Sequence, residues 1–178
     1  MRYGSLEYMY ASPIALALID SAAFREWVLS RSEFREYSDA RLLHKEMASH
    51  RGNSSAEWWR FHFTEKCRCV GCSGKETDIL AIFETKSQAR FALHFEVKQP
   101  TDSFKSDGVQ SRGYALRAQC WAAKAPTRVL PHQRASTGLF FSEAKRTEYF
   151  EHLDNFKALM TFEEIETEFP DVAKWLSG

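Results

Sequence analysis

Two apolar runs, residues 77–84 and 90–98, constrain this chain more than any other feature. Both are rich in β-branched and aromatic residues, and only the polar stretch 85–89 separates them. They read as two strands of an antiparallel hairpin. Side chains on a strand alternate between faces. In the second run Phe91, Leu93, Phe95 and Val97 therefore form one face, and Arg90, Ala92, His94, Glu96 and Lys98 form the other. In the first run Ile79, Ala81 and Phe83 are the matching apolar set, which leaves Asp78, Leu80 and Ile82 opposite. The two apolar sets meet only if Asp78 pairs with Glu96 or Lys98. A slip of one residue would place charges among the phenylalanines, at a cost of several kcal/mol. Leu80 and Ile82 share the charged face, so helices are expected to cover most of it and leave its charged end open.

Two carboxylates and one lysine at a single spot can hold a magnesium ion and assist attack of water on a phosphodiester. Magnesium prefers oxygen ligands and keeps several waters, so one or two protein carboxylates suffice. Asp78 and Glu96 meet that need, for Mg2+ or Mn2+. The ion would polarise the scissile phosphate and lower the pKa of bound water. Lys98, partly desolvated there, could lose its proton or orient the nucleophile. His94, on the same face, reads as a structural histidine, with a substrate contact as the alternative. An acid–lysine pair at a strand end is ordinarily a solvated ion pair of little consequence. Apolar flanks and an acid in register on the neighbouring strand argue for more than that.

Charge supports a phosphate-bearing partner only locally. Lys+Arg and Asp+Glu are both 24, so the total is neutral. From Lys86 to Arg134, however, nine Lys/Arg face three acids, and from Phe141 onward nine acids face four bases. The basic middle contains Glu96 and Lys98, as a nucleic-acid-binding surface would require. The length, 178 residues, suits a single domain over 1–178. The apolar stretch 13–19 is too short for a membrane span and lacks the basic lead and cleavage pattern of a secretory signal. No membrane association is expected, and a cytoplasmic setting with reduced thiols is.

The remaining segments fill out an α/β pattern. Ser12 followed by Pro13 predicts a helix start, with helical spacing to about residue 30. A second helix is expected over 39–50, so N-terminal helices occupy 12–51, followed by a strand over 58–65. After the hairpin come a loop at 100–108, a helix over 109–125 and strand-like runs at 128–130 and 137–142. A charged helix over 143–155, a strand over 157–162 and a short helix ended or interrupted by Pro170 complete the chain. The order implies a mixed central sheet flanked by helices on both faces.

Between the predicted strand at 58–65 and the hairpin lies a Cys-rich connector, 67–72. Cys67, Cys69 and Cys72 have the look of a metal knuckle, and Gly71 helps the chain turn. A disulfide within Cys-x-Cys is strained, and the expected compartment opposes one. Structural Zn2+ takes four ligands, the fourth being Cys120, His62 or a more distant histidine. A reduced, metal-free turn is the alternative.

The element order, with an acid opening the second strand and Glu-x-Lys closing the third, resembles the PD-(D/E)XK nuclease superfamily, the restriction-endonuclease-like phosphodiesterases. The likeness spans roughly residues 46–142. It implies a restriction-endonuclease-like core in αβββαβ order and a metal-dependent nuclease acting on nucleic acid, with DNA favoured and endonuclease or exonuclease both open. By position, Asp78 and Glu96 match the metal-binding acids. Lys98 matches the lysine that activates water or stabilises the phosphorane, and Val97 the variable position whose backbone carbonyl often faces the metal. Thr77 stands where the family name has proline. Many members carry a glutamate on the helix before the first strand, for which Glu46 is the match and Glu57 the reserve. Gln110 and Tyr114 match the Gln-x-x-x-Tyr signature of RecB-like cores, with Gln119 competing. Some RecB-like nucleases hold an iron–sulfur cluster with cysteines, which leaves such a cluster as the less favoured alternative to zinc here, since their cysteines bracket the core differently. Two other functions stay open: a non-catalytic nucleic-acid-binding module on the same fold, and a zinc-stabilised or redox-sensing protein. The oligomeric state is equally open, a homodimer included.

Overall fold

In the computed structural model, which describes residues 5–52, 55–60 and 76–177, the hairpin sits at the centre of a mixed sheet. Among the described residues the sheet has five strands, β1 (Arg41–Leu42), β2 (Ile79–Glu84), β3 (Arg90–Val97), β4 (Arg134–Phe141) and β5 (Ala158–Thr161), ordered across it as in the chain. β2 runs antiparallel to both β1 and β3, whereas β3, β4 and β5 run parallel. The central register follows the apolar pattern: Ile79 faces Phe95, Ala81 faces Leu93 and Phe83 faces Phe91, with Leu80 opposite His94 and Ile82 opposite Ala92. Phe83 and Phe91 stack with ring centroids 5.3 Å apart. The connecting turn closes through the Thr85 amide, which donates to the Ala89 carbonyl at 2.9 Å, with Gln88 in the left-handed region. Residues 79–83 and 91–97 are all buried, so elements cover both faces of the hairpin.

Six α-helices are found among the described residues: α1 (Ser5–Asp20), α2 (Ala22–Arg31), α3 (His44–Arg51), α4 (Val109–Ala123), α5 (Phe150–Leu153) and α6 (Phe162–Glu168). The helix expected to start at Ser12 begins at Ser5 instead and carries Pro13 inside it. The break falls at Ser21, whose hydroxyl accepts from the Phe24 amide at 3.1 Å and caps α2. Within the segment expected as a helix over 39–50, Leu42 pairs with Phe83 and the Leu43 amide donates to Ile82. Sheet pairing thus takes β1 out of that helix, and only α3 remains.

Trp58, Trp59 and Arg60 form a turn rather than the expected strand. The 3-10 turn Ser55–Glu57 delivers both tryptophans into the core, and the Trp59 carbonyl accepts from the Leu80 amide at 3.0 Å. Residues 61–65 of that expected strand lie outside the described residues. Arg128 and Val129 also turn, closed by the Val129 amide on the Pro126 carbonyl, and Leu130 follows outside any strand. The long helix expected over 143–155 is a 3-10 turn (Glu143–Lys145), further turns and the short α5, because the chain bends to bury Tyr149. α6 opens with a reciprocal cap between Thr161 and Glu164 and ends before Pro170.

Parallel neighbours need a crossover connection, and α4 supplies it between β3 and β4. It packs on both strands and starts after Gly108, whose φ of 64° is left-handed. The main core includes α1–α3, β2, β3 and α6, while Tyr114, Leu139, Phe141, Tyr149 and Phe156 form a second cluster. No helix among the described residues is long and apolar enough to cross a membrane. The head of β2 and the C-terminal ends of β3 and β4 meet at one edge, where the charged residues gather.

Candidate active site

Asp78 immediately precedes β2, and extending the ladder by one step sets it opposite Glu96. Its carboxylate crosses to β3, where Oδ2 accepts from the Val97 amide at 2.8 Å. The Asp78 amide in turn donates to the Tyr114 hydroxyl at 3.2 Å. Val97 therefore reaches the acid through its N–H. One residue on, the Lys98 amide donates to the Phe140 carbonyl and ties the end of β3 to β4. Glu96 and Lys98, two apart, project to the same side, and Lys98 Nζ lies 3.1 Å from Glu96 Oε1.

Gln110, in the first turn of α4, bridges these two groups. Its Nε2 donates to Glu96 Oε1 at 2.8 Å, and its Oε1 accepts from Lys98 Nζ at 3.3 Å. Tyr114 follows one turn later on the same helical face. The structure thus brings together Asp78, Glu96, Val97, Lys98, Gln110 and Tyr114. Glu46 is elsewhere. It pairs with Arg41, which also binds Glu84 at 3.0 Å, at the opposite end of β2 from Asp78. Glu57 pairs with Arg60, Gln119 is exposed on α4, and His94 is buried against Thr77 and Trp121.

The helix acid at this site is Glu7, on α1. Burial and the neighbouring charges of Glu96 and Glu76 push its carboxyl up to about 7. A sequence signal for it exists: Glu7 lies on the same helical stripe as buried Ala11, Ile14 and Leu18. Placing the helix start at Ser12 hides that stripe's first member. Arg117 is a second residue that sequence reasoning missed. It is fully buried one turn beyond Tyr114, donates from Nε to Thr77 Oγ1 at 2.8 Å, and stacks its guanidinium 4.8 Å from the Tyr114 ring. It thereby anchors the segment leading into Asp78.

Acids dominate the local field: Glu7, Glu76, Asp78, Glu96 and Asp102 act on one another against Lys98 and Arg117. Burial, then the charges of Glu96 and Glu7, raise the Asp78 carboxyl well above the usual range, although the Val97 amide works the other way. Burial also raises Glu76. For Lys98, burial alone would favour the neutral amine. The charges of Glu96 and Asp102 and their hydrogen bonds outweigh that and raise its pKa. Lys98 consequently stays an ammonium, and of the two roles expected for it, loss of a proton is the one this environment opposes.

A divalent ion fits the donors present. Glu96 Oε1 is occupied by Lys98 and Gln110, while the buried Oε2 makes no close hydrogen bond among the described residues, although the Tyr114 hydroxyl also faces the Glu96 carboxylate. Asp78 is the second oxygen donor beside it. No group of three or more His, Cys, Asp or Glu side chains arranged to ligate an ion occurs among the described residues. Two carboxylates with water and substrate oxygens are nonetheless the usual complement for magnesium. Of the expected zinc ligands, Cys67, Cys69 and Cys72 lie outside the described residues, while Cys120 is half-buried on α4 against the main core. No protein-family model, curated protein or solved structure matches the chain.

Proposed function

We infer that this chain is a divalent-metal-dependent nuclease, with Asp78 and Glu96 holding Mg2+ or Mn2+ and Lys98 facing the scissile phosphate. The observation that carries this reading is Glu96 Oε2, a buried carboxylate oxygen that makes no close hydrogen bond among the described residues, next to a second buried acid. Burying an anionic oxygen without a partner costs several kcal/mol, which a bound cation offsets. A phosphodiester cannot approach so many carboxylates without such a cation between them. When bound, the ion supplies Lewis acidity and lowers the pKa of water.

The chain's own residues account for the rest. Lys98, kept charged, stabilises negative charge as it develops on the phosphate. Gln110 fixes the spacing of Glu96 and Lys98. Tyr114 and Arg117 hold the entry to β2 so that Asp78 stays in register. Glu7, titrating at about 7, is suited to accept a proton near neutral pH. The resemblance to PD-(D/E)XK nucleases is supported by the antiparallel β1–β2–β3 meander, the α4 crossover and the parallel β4. In this reading the core is restriction-endonuclease-like and the partner is DNA, cut internally or from an end, in a reducing cytoplasm.

Incubation of plasmid, linear DNA and RNA with the protein in magnesium or manganese tests the proposal. Cleavage is expected, with Asp78→Asn and Lys98→Ala each lowering the rate about 100-fold or more. Equal trace activity in wild type and Lys98→Ala under both metals would overturn it. A second reading, nucleic-acid binding without turnover, draws on one observation: every donor of the Lys98 ammonium is already engaged.

A further inference from the structure

We propose that the segment 99–108 is a gate over Lys98, and that Asp102 occupies the place a substrate phosphate takes when the gate opens. An ammonium has three N–H donors. In Lys98 all three have acceptors: Glu96 Oε1 at 3.1 Å, Asp102 Oδ2 at 3.2 Å and Gln110 Oε1 at 3.3 Å. The Phe104 ring lies 4.8 Å from Nζ, and the side chain is 5% exposed. In this arrangement Lys98 has no donor for a phosphate oxygen.

Its three partners are not equally replaceable. Glu96 is buried in β3, and Gln110 is itself bound to Glu96. Displacing either would strand a buried polar group. Asp102 is 45% exposed and sits on a connecting segment. A phosphate oxygen exchanged for its carboxylate keeps one anion on the ammonium and leaves the displaced acid in water. Left in place, that carboxylate would repel the phosphate.

The segment is held shut by a small latch. The Tyr149 hydroxyl donates to the Asp102 carbonyl at 2.6 Å, and Ser103 Oγ donates to Glu148 Oε1 at 2.5 Å. Phe104 packs edge-on against Tyr149 and stacks on His152 at 4.6 Å. These four contacts, and that of the Phe104 ring with Phe156 at 6.0 Å, are all made to the connection that follows β4, so opening requires release of this patch together with the Asp102–Lys98 pair. Pro100 and the left-handed Gly108 bracket the moving part. The gate deepens the nuclease reading and rests on it for the identity of the occupant.

Two measurements separate the gate from that reading. The first is acetylation of Lys98 in the native protein, followed by mass spectrometry with exposed Lys86, outside the segment, as the internal reference. Tyr149→Phe and Ser103→Ala loosen the latch without changing the charges around Lys98. Each is expected to speed Lys98 labelling about fivefold, the effect of one lost hydrogen bond. Ser103 is exposed, so its variant keeps the test valid if loss of the buried Tyr149 hydroxyl compromises folding. Labelling as slow in both variants as in wild type would overturn the gate. The second is binding of a short duplex DNA in calcium, where Asp102→Ala is expected to bind about tenfold more tightly than wild type. Weaker or unchanged binding would overturn Asp102 as the phosphate's competitor. Faster labelling with no DNA bound by either protein would support the gate and overturn the nuclease reading.

Discussion

A carboxyl that titrates near neutrality makes folding itself depend on pH. Glu7 has its ordinary value of 4.5 raised to about 7, first by burial and then by Glu96 and Glu76. The folded chain thus holds this proton more tightly than the unfolded chain does. The corresponding stabilisation is complete below about 4.5 and is lost as pH rises through about 7. Glu7 is only half-buried, so solvent screening reduces the effect to about 1–2 kcal/mol. In a protein of this size that is about 2–8 °C in Tm. The metal-free protein is expected to melt lower at about pH 8 than at about pH 5, with Glu7→Gln flattening that slope. A Glu7→Gln profile parallel to wild type would remove Glu7 from the site. Asp78, raised in the same direction by burial and by Glu96, adds to the slope that remains.

Among the elements, β4 leaves no room for a side chain at Gly138. Gly138 lies opposite Phe95 on β3, and a Cβ there would come within 2.5 Å of Phe95 Cδ1 and 2.6 Å of Cε1. Phe95 is fully buried against Phe140, so the ring has little room to yield. Gly138→Ala is expected to destabilise by about 1–3 kcal/mol, read as a lower urea midpoint with an unchanged slope. A midpoint equal to wild type would show that the ring moves freely. The hairpin and the register of β2 on β3 were legible from alternation because both apolar faces are continuous over several residues. Helix boundaries were less so. Ser12-Pro13 has the signature of a start, yet α1 extends past it because Ala11 is buried on the same stripe as Ile14 and Leu18. Leu42 and Leu43 fit a helical pattern as well as a strand, and only the edge of β2 decides between them.

Across the whole molecule, Glu7 comes from α1, Asp78 from the head of β2, and Glu96 with Lys98 from the end of β3. A cation bound between them would tie distant parts of the chain, so binding should register as global stability. Magnesium or calcium is expected to raise Tm more at about pH 8 than at about pH 5, because protons on the raised carboxyls compete with the ion. Asp78→Asn should abolish that increase. A shift of equal size at both pH values, or one retained in Asp78→Asn, would place the ion elsewhere. A neutral chain with 24 charges of each sign conceals this local excess of acid, which the charge count along the sequence does not display.

The sequence by itself determined the pairing of β2 with β3 and hence the meeting of Asp78, Glu96 and Lys98, since a strand's faces are written in its own alternation. Gln110 and Tyr114 could be placed on one face of α4 for the same reason, by their spacing within one helix. Only the tertiary structure decided that Glu7 rather than Glu46 joins the acids, and that Arg117 anchors Thr77. Only it showed Asp102 and Phe104 enclosing the lysine. Those contacts depend on how α1, α4 and the 99–108 segment dock on the sheet. No local periodicity encodes that docking, because it is set by how side chains distant in sequence fill one shared core.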